Sequence, residues 1–145
     1  MSEDHSAIYR QALLTLARDQ QYCGTLDGAD HRGHACNPLC GDELVVETRV
    51  GDEGELVGLR YTIRGCAIAS ASARLLAEFA PTRSRSELED GARQLRAALE
   101  GEALPPTLEL MRPLLTLRGH GSRHACVLLP WRALAASWSE EGSGS

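Results

Sequence analysis

The sequence predicts a small α+β domain, a short antiparallel sheet packed against helices, and three patterns carry that expectation. Residues 6–19 place Tyr9, Leu13, Leu16 and Ala17 at helical spacing. Residues 43–64 alternate apolar and polar side chains on both sides of a turn. From Cys66 to Trp138 the chain reads as helices separated by glycine and proline breaks.

Taken in order, the first helix is followed by residues 20–39, where Gly24, Gly28, Gly33, Asn37 and Pro38 mark a long loop. Leu44, Val46, Thr48 and Val50 then form one face of a strand. Gly51-Asp52-Glu53-Gly54 makes the turn of a hairpin, and Val57, Leu59, Tyr61 and Ile63 form the inner face of the returning strand. An alanine-rich helix follows directly and runs towards Pro81, with Cys66 at its N-terminus. The next helix is expected to start with Ser86 as N-cap and Glu89 closing a capping box, and to end before Gly101. Its buried stripe is Leu88, Ala92, Leu95 and Leu99. Residues 107–117 suit a short helix that Pro113 limits or kinks. After a loop over 119–122, Pro130 fits the first turn of a terminal helix that buries Trp131, Leu134 and Trp138. Residues 1–138 are thus one domain and 139–145 a flexible tail, with no internal repeat.

Composition narrows the function. A chain of 145 residues, 43% hydrophobic, supports one core and leaves no room for a second. The net charge of -5 is spread among interspersed charges with no basic stripe, which argues against nucleic-acid binding. The acidic, amphipathic start is unlike a secretory leader, and no run approaches the ~18 apolar residues of a membrane span. A cytoplasmic location is expected, with no membrane partner. Five cysteines, an odd number, then read as thiols or metal ligands and not as a disulfide framework.

Cys40-Gly41-Asp42 sets two donors two residues apart, around a glycine able to take the bend, where a loop enters a strand. Cys66 and Cys126 arrive from the starts of two helices. A helix N-terminus favours a thiolate, and three thiolates with one carboxylate make a set that tetrahedral zinc accepts. By spacing alone the same cysteines equally suit small buried apolar side chains, since no zinc-finger signature is present.

Three ordered motifs go further: Asn37-Pro38-Leu39-Cys40-Gly41-Asp42, Gly65-Cys66-Ala67-Ile68-Ala69-Ser70-Ala71-Ser72, and Cys126-Val127-Leu128-Leu129-Pro130-Trp131-Arg132-Ala133-Leu134. Together with Tyr9-Arg10-Gln11 they resemble the U-type iron–sulfur assembly proteins, the IscU/NifU N-terminal-like family, over nearly the whole chain. Within it the chain looks like the SufU type. IscU-like scaffolds carry a histidine immediately before the third motif cysteine, where Ala125 stands here, with His124 one position too early. The SufU type carries an arginine three residues before that cysteine, matched by Arg123, and an insertion between the second and third motifs, where residues 82–101 fall.

The resemblance implies an IscU/SufU-like fold and a zinc ion held by Cys40, Asp42, Cys66 and Cys126. It further implies docking onto a SufS-type cysteine desulfurase, whose persulfide sulfur this protein accepts as a co-substrate. In that mechanism a histidine of the partner replaces Cys40 at the zinc and frees it to attack, with Arg123 in an assisting role. Iron–sulfur scaffold proteins are then expected recipients downstream. The competing expectation is a scaffold on which an iron–sulfur cluster is built and then transferred, since thiolates suit both.

Some features depart from that pattern. Arg18-Asp19-Gln20-Gln21 stands where the family usually has a histidine and an Asn-Pro-Arg run. Cys36 reads as an extra loop thiol or as a relay to Cys40, and Cys23 as a bland thiol. His31 and His34 are solvated, or alternative ligands if their loop folds over the site. His124 is the expected replacement ligand if Asp42 does not bind. Arg123 either steers an anionic substrate or pairs with Asp42. Ser70 and Ser72 satisfy backbone or solvent.

Overall fold

The structure, a computed structural model, describes the backbone of residues 2–38 and 41–142 and the side chains of 7–38 and 41–138. Its elements are α1 (Ser2–Arg18), β1 (His31–Asn37), β2 (Asp42–Val50), β3 (Leu56–Arg64), α2 (Ala67–Phe79), α3 (Arg85–Leu99), a 3-10 segment Pro106–Leu117, a 3-10 turn Gly121–Arg123, and α4 (His124–Gly142). The strands form an antiparallel sheet in the order β1-β2-β3. This is the α+β arrangement that the sequence predicts.

The first strand is the largest departure, since residues 31–37 were expected in a loop. β1 does alternate, but its inward residues are Gly33, Ala35 and Asn37, too small or too polar to register as a hydrophobic period. The small size has a reason. A Cβ added at Gly33 would stand 2.0 Å from the Ala133 carbonyl oxygen and 2.5 Å from the Ser137 nitrogen, so β1 and α4 meet backbone to backbone.

β2 turns Leu44, Val46 and Thr48 into the core as expected. On β3 the inward set is Leu56, Leu59 and Tyr61, while Val57 is 47% exposed. An irregularity between Arg49 and Val50 pairs Val50 with Leu56 and moves the face by one residue. Residues 22–24 close the outer edge of β3 by an exchange of hydrogen bonds with Tyr61: Gly24 donates to its carbonyl at 2.8 Å and its N–H donates to Tyr22 at 3.1 Å.

α4 lies on β1 and β2, α2 packs between α1 and α4, and α3 meets α4 and the 106–117 segment. Trp131 packs on Phe79, with ring centroids 5.9 Å apart, and against Gly91 of α3, where a Cβ would stand 3.3 Å from the indole. Ser72 donates from α2 to the Val127 carbonyl of α4 at 2.6 Å, a bond between helices and not within one. Arg118 donates to the carbonyls of Ala98 and Glu102, closing the C-terminal end of α3.

Two helix boundaries differ from expectation. Ser84, not Ser86, caps α3, and Glu87 returns the capping-box bond to the Ser84 N–H at 2.8 Å. Both serines have glutamate three residues on, so the motif occurs twice and the earlier copy is used. α4 starts at His124 and continues to Gly142, so Pro130 lies inside the helix, and residues 139–142 extend it beyond the expected tail boundary. Residues 143–145 of that tail lie outside the described residues. Among the described residues, no helix is long and apolar enough to cross a membrane.

Candidate metal centre

Three of the four expected ligands meet. One donor atom each from Asp42, Cys66 and Cys126 lies within 4.8 Å of the others. Cys40, the fourth, lies outside the described residues.

Each donor is set by its place in an element. Asp42 opens β2 just after Gly41, whose φ of 74° is a conformation glycine adopts readily. Its side chain is 2% exposed. Cys66 is the N-cap of α2: its φ of -76° and ψ of 166° are extended, and its Sγ accepts the Ala69 N–H at 3.5 Å. Asp42 and Cys66 lock together, because Oδ1 accepts the Cys66 N–H at 2.9 Å and Oδ2 stands 3.7 Å from the Cys66 Sγ. Gly65 makes this approach possible, since a Cβ there would stand 2.7 Å from Asp42 Oδ1. Cys126 comes from the first turn of α4 and is fully buried. Burial pushes its thiol well above the ordinary thiol range, and the neighbouring Cys66 and Asp42 push in the same direction.

The donor chemistry fits a zinc-like cation. Asp42 is a buried carboxylate, and among the described residues no arginine or lysine forms a salt bridge with it. Two buried or half-buried sulfurs stand beside it. Such a set is costly without a compensating positive charge. Zn–S bonds of about 2.3 Å in a tetrahedron put sulfurs about 3.8 Å apart, and the three donor atoms here lie within 4.8 Å of one another.

Beside the centre a cavity of about 640 Å³ opens against Cys66, walled by Leu13, Leu14, Ile68 and Leu117, with Arg10, His120 and Arg123 adding polar and basic character. Arg123 therefore faces open space next to a thiol and makes no salt bridge with Asp42 among the described residues. His120, which with His124 flanks Arg123 in the sequence, lies on the same wall.

The other candidates lie elsewhere. His124 is no replacement ligand: its Nε2 lies 2.9 Å from the Leu117 carbonyl and 3.2 Å from that of Arg118. His31 and His34 sit on β1 and not in a loop over the site, and His34 Nε2 pairs with Glu43 at 2.8 Å on the outward face of the sheet. Cys36 is exposed on that same face, opposite Glu43 in register. Cys23 lies at the edge of β3 beside Tyr61, whose hydroxyl is pushed far up by burial first and by Cys23 second. Asn37, which the sequence offered only as a loop marker and motif residue, is 8% exposed and donates its side-chain amide to the Cys126 Sγ at 3.9 Å.

Known proteins share this architecture. Over 119 residues, 82% of this chain, the sequence is 34% identical to the bifunctional protein NifU/MnmA of Rubrobacter xylanophilus, and it spans 22% of that protein's length. The NifU-like N-terminal protein of Brucella abortus superposes with a TM-score of 0.84 over 95% of this chain and 96% of its own, at 23% identity. The SufU protein of the thermophile Fervidobacterium islandicum gives a TM-score of 0.79 over 86% of this chain and 92% of its own, at 20% identity. Residues 8–92, which hold Cys40, Asp42 and Cys66, match the model of the NifU-like N terminal domain. That match covers more than half of the sequence, and the chain belongs to the NifU-like N-terminal domain family.

Proposed function

We propose that this domain serves iron–sulfur cluster assembly as a zinc-dependent sulfur acceptor, taking persulfide sulfur from a SufS-type cysteine desulfurase through Cys40. The observation that carries the reading is the buried Asp42 beside Cys66 and Cys126, with no cationic side chain paired to it among the described residues. Its place in iron–sulfur assembly, common to both readings, is supported by the Fervidobacterium islandicum neighbour, named for the SUF system. The Rubrobacter xylanophilus relative carries the NifU name.

In this reading Asp42, Cys66 and Cys126 hold the zinc ion, with Cys40 as its fourth ligand. Bound zinc keeps its thiol ligands deprotonated at neutral pH. The Cys40 thiolate then attacks the terminal sulfur of the donor's cysteine persulfide. A new S–S bond forms at Cys40 as the donor's S–S bond breaks, and its electron pair leaves on the donor's cysteine, which takes up a proton. No oxidant is required. Arg123, on the wall of the cavity beside Cys66, supplies positive charge where the anionic persulfide approaches.

The scaffold reading keeps the same donors and treats an iron–sulfur cluster as cargo, and the scaffold name of the Fervidobacterium islandicum neighbour favours it. Purified protein assayed with its desulfurase separates the two. We expect retained zinc, and alanine release raised by the wild-type chain but not by Cys40→Ala. A zinc-free protein whose Cys40→Ala variant stimulates fully would contradict the sulfur-acceptor reading, and stable cluster absorption after reconstitution would favour the scaffold.

A further inference from the structure

One residue touches three pieces of the centre at once. Asn37 ends β1, where it is the register partner of Asp42. Its carbonyl accepts the Gly41 N–H at 2.8 Å, just ahead of Asp42. Its side-chain amide points the other way, into the core, and donates to the Cys126 Sγ at 3.9 Å. It is one of few polar residues buried in the fold, at 8% exposure, on the inward face of a strand whose other inward residues are Gly33 and Ala35. A buried amide is kept where its hydrogen bonds are needed.

Among the described residues, the two cysteines of the centre differ in their surroundings. Cys126 is fully buried and receives a side-chain N–H. Cys66 receives the Ala69 N–H as a helix cap and is half-buried. An N–H donor withdraws electron density from a thiolate, which makes that sulfur a poorer nucleophile and fixes its direction. We propose that Asn37 is a positioning residue: its buried amide holds the Cys126 sulfur in place as a permanent ligand of the metal. This rests on the zinc reading above and adds a residue to it.

The test uses the isolated full-length chain with zinc or cobalt(II) and no desulfurase. Asn37→Asp keeps the shape and removes the donor, and Asn37→Ser removes its reach. Both are expected to weaken zinc binding by roughly 10- to 100-fold, to move the thiolate-to-cobalt absorption band to lower energy, and to expose Cys126 to iodoacetamide in the zinc-loaded protein. Variants that bind zinc within about twofold of wild type, with an unmoved cobalt band, would overturn the proposal. Should both variants fail to fold, the side-chain amide resonance of Asn37 in the ¹⁵N-labelled wild-type chain decides it: a shift on zinc addition supports the contact and an unmoved signal overturns it. A wild-type chain that binds no zinc at all would instead overturn the zinc reading itself.

Discussion

At the scale of single residues the centre depends on what is missing as much as on what is present. Asp42 reaches the Cys66 N–H only because Gly65 has no side chain, and Gly41 supplies the left-handed turn ahead of Asp42. A Cβ at Gly65 would press on the carboxylate at 2.7 Å and displace it from Cys66. Gly65→Ala is accordingly expected to lower zinc affinity by roughly 10-fold while leaving the melting temperature of the metal-free protein nearly unchanged, as competition with a chromophoric chelator and thermal denaturation would show. Unchanged affinity would remove Asp42 from the ligand set. Spacing alone left the cysteines equally suited to burial as small apolar side chains, and it was the three ordered motifs that set Asp42, Cys66 and Cys126 together. The sequence did not reveal Asn37 or the steric duty of Gly65, because an amide and a hydrogen atom carry no signal until their neighbours are known.

At the scale of elements, the parts with strong periods were legible and the parts held by close backbone approach were not. The β2–β3 hairpin and its turn follow from alternation, except for the one-residue shift near Val50 that turns Val57 outward. β1 escaped because Gly33 and Ala35 are small so that α4 can lie against them. The α3 cap was displaced by two residues because Ser84-Arg85-Ser86-Glu87-Leu88-Glu89 contains two overlapping boxes. The β1–α4 contact also places Cys126, since α4 carries it and Asn37 ends the strand beneath. Gly33→Ala would drive a methyl group into the Ala133 carbonyl. It is expected to cost about 3 kcal/mol, lowering the melting temperature by roughly 10 °C, as calorimetry would show. A shift within about 2 °C would mean that the two elements are not seated this closely.

At the scale of the whole molecule, two buried groups link folding to pH in the same direction. The Cys126 thiol and the Tyr61 hydroxyl are both raised, chiefly by burial, above their ordinary values of 9.0 and 10.0. Above about pH 9 the unfolded chain releases a thiol proton that the folded, metal-free chain retains at Cys126, and Tyr61 adds the same effect higher up. The folded state then binds more protons than the unfolded one, so stability falls as pH rises, by up to about 1.4 kcal/mol per unit for each group. Urea midpoints of the metal-free, reduced protein should therefore decline above about pH 9. Cys126→Ala should flatten the first part of the decline, and a wild-type midpoint constant to about pH 10.5 would contradict this. In the proposed zinc-bound state Cys126 would coordinate as the thiolate, so the metal would displace from its sulfur the proton that the metal-free fold retains.

In the proposed reaction Cys40 receives sulfur while Asp42, Cys66 and Cys126 keep the metal. Its most direct measurement is peptide-resolved mass spectrometry of the zinc-loaded protein after incubation with its cysteine desulfurase and cysteine, with free thiols and persulfides trapped by alkylation. One added sulfur is expected on the peptide bearing Cys40 and none on Cys66 or Cys126, with zinc still bound. Added sulfur on Cys36 or Cys126 in place of Cys40, or no persulfide on the chain at all, would contradict it.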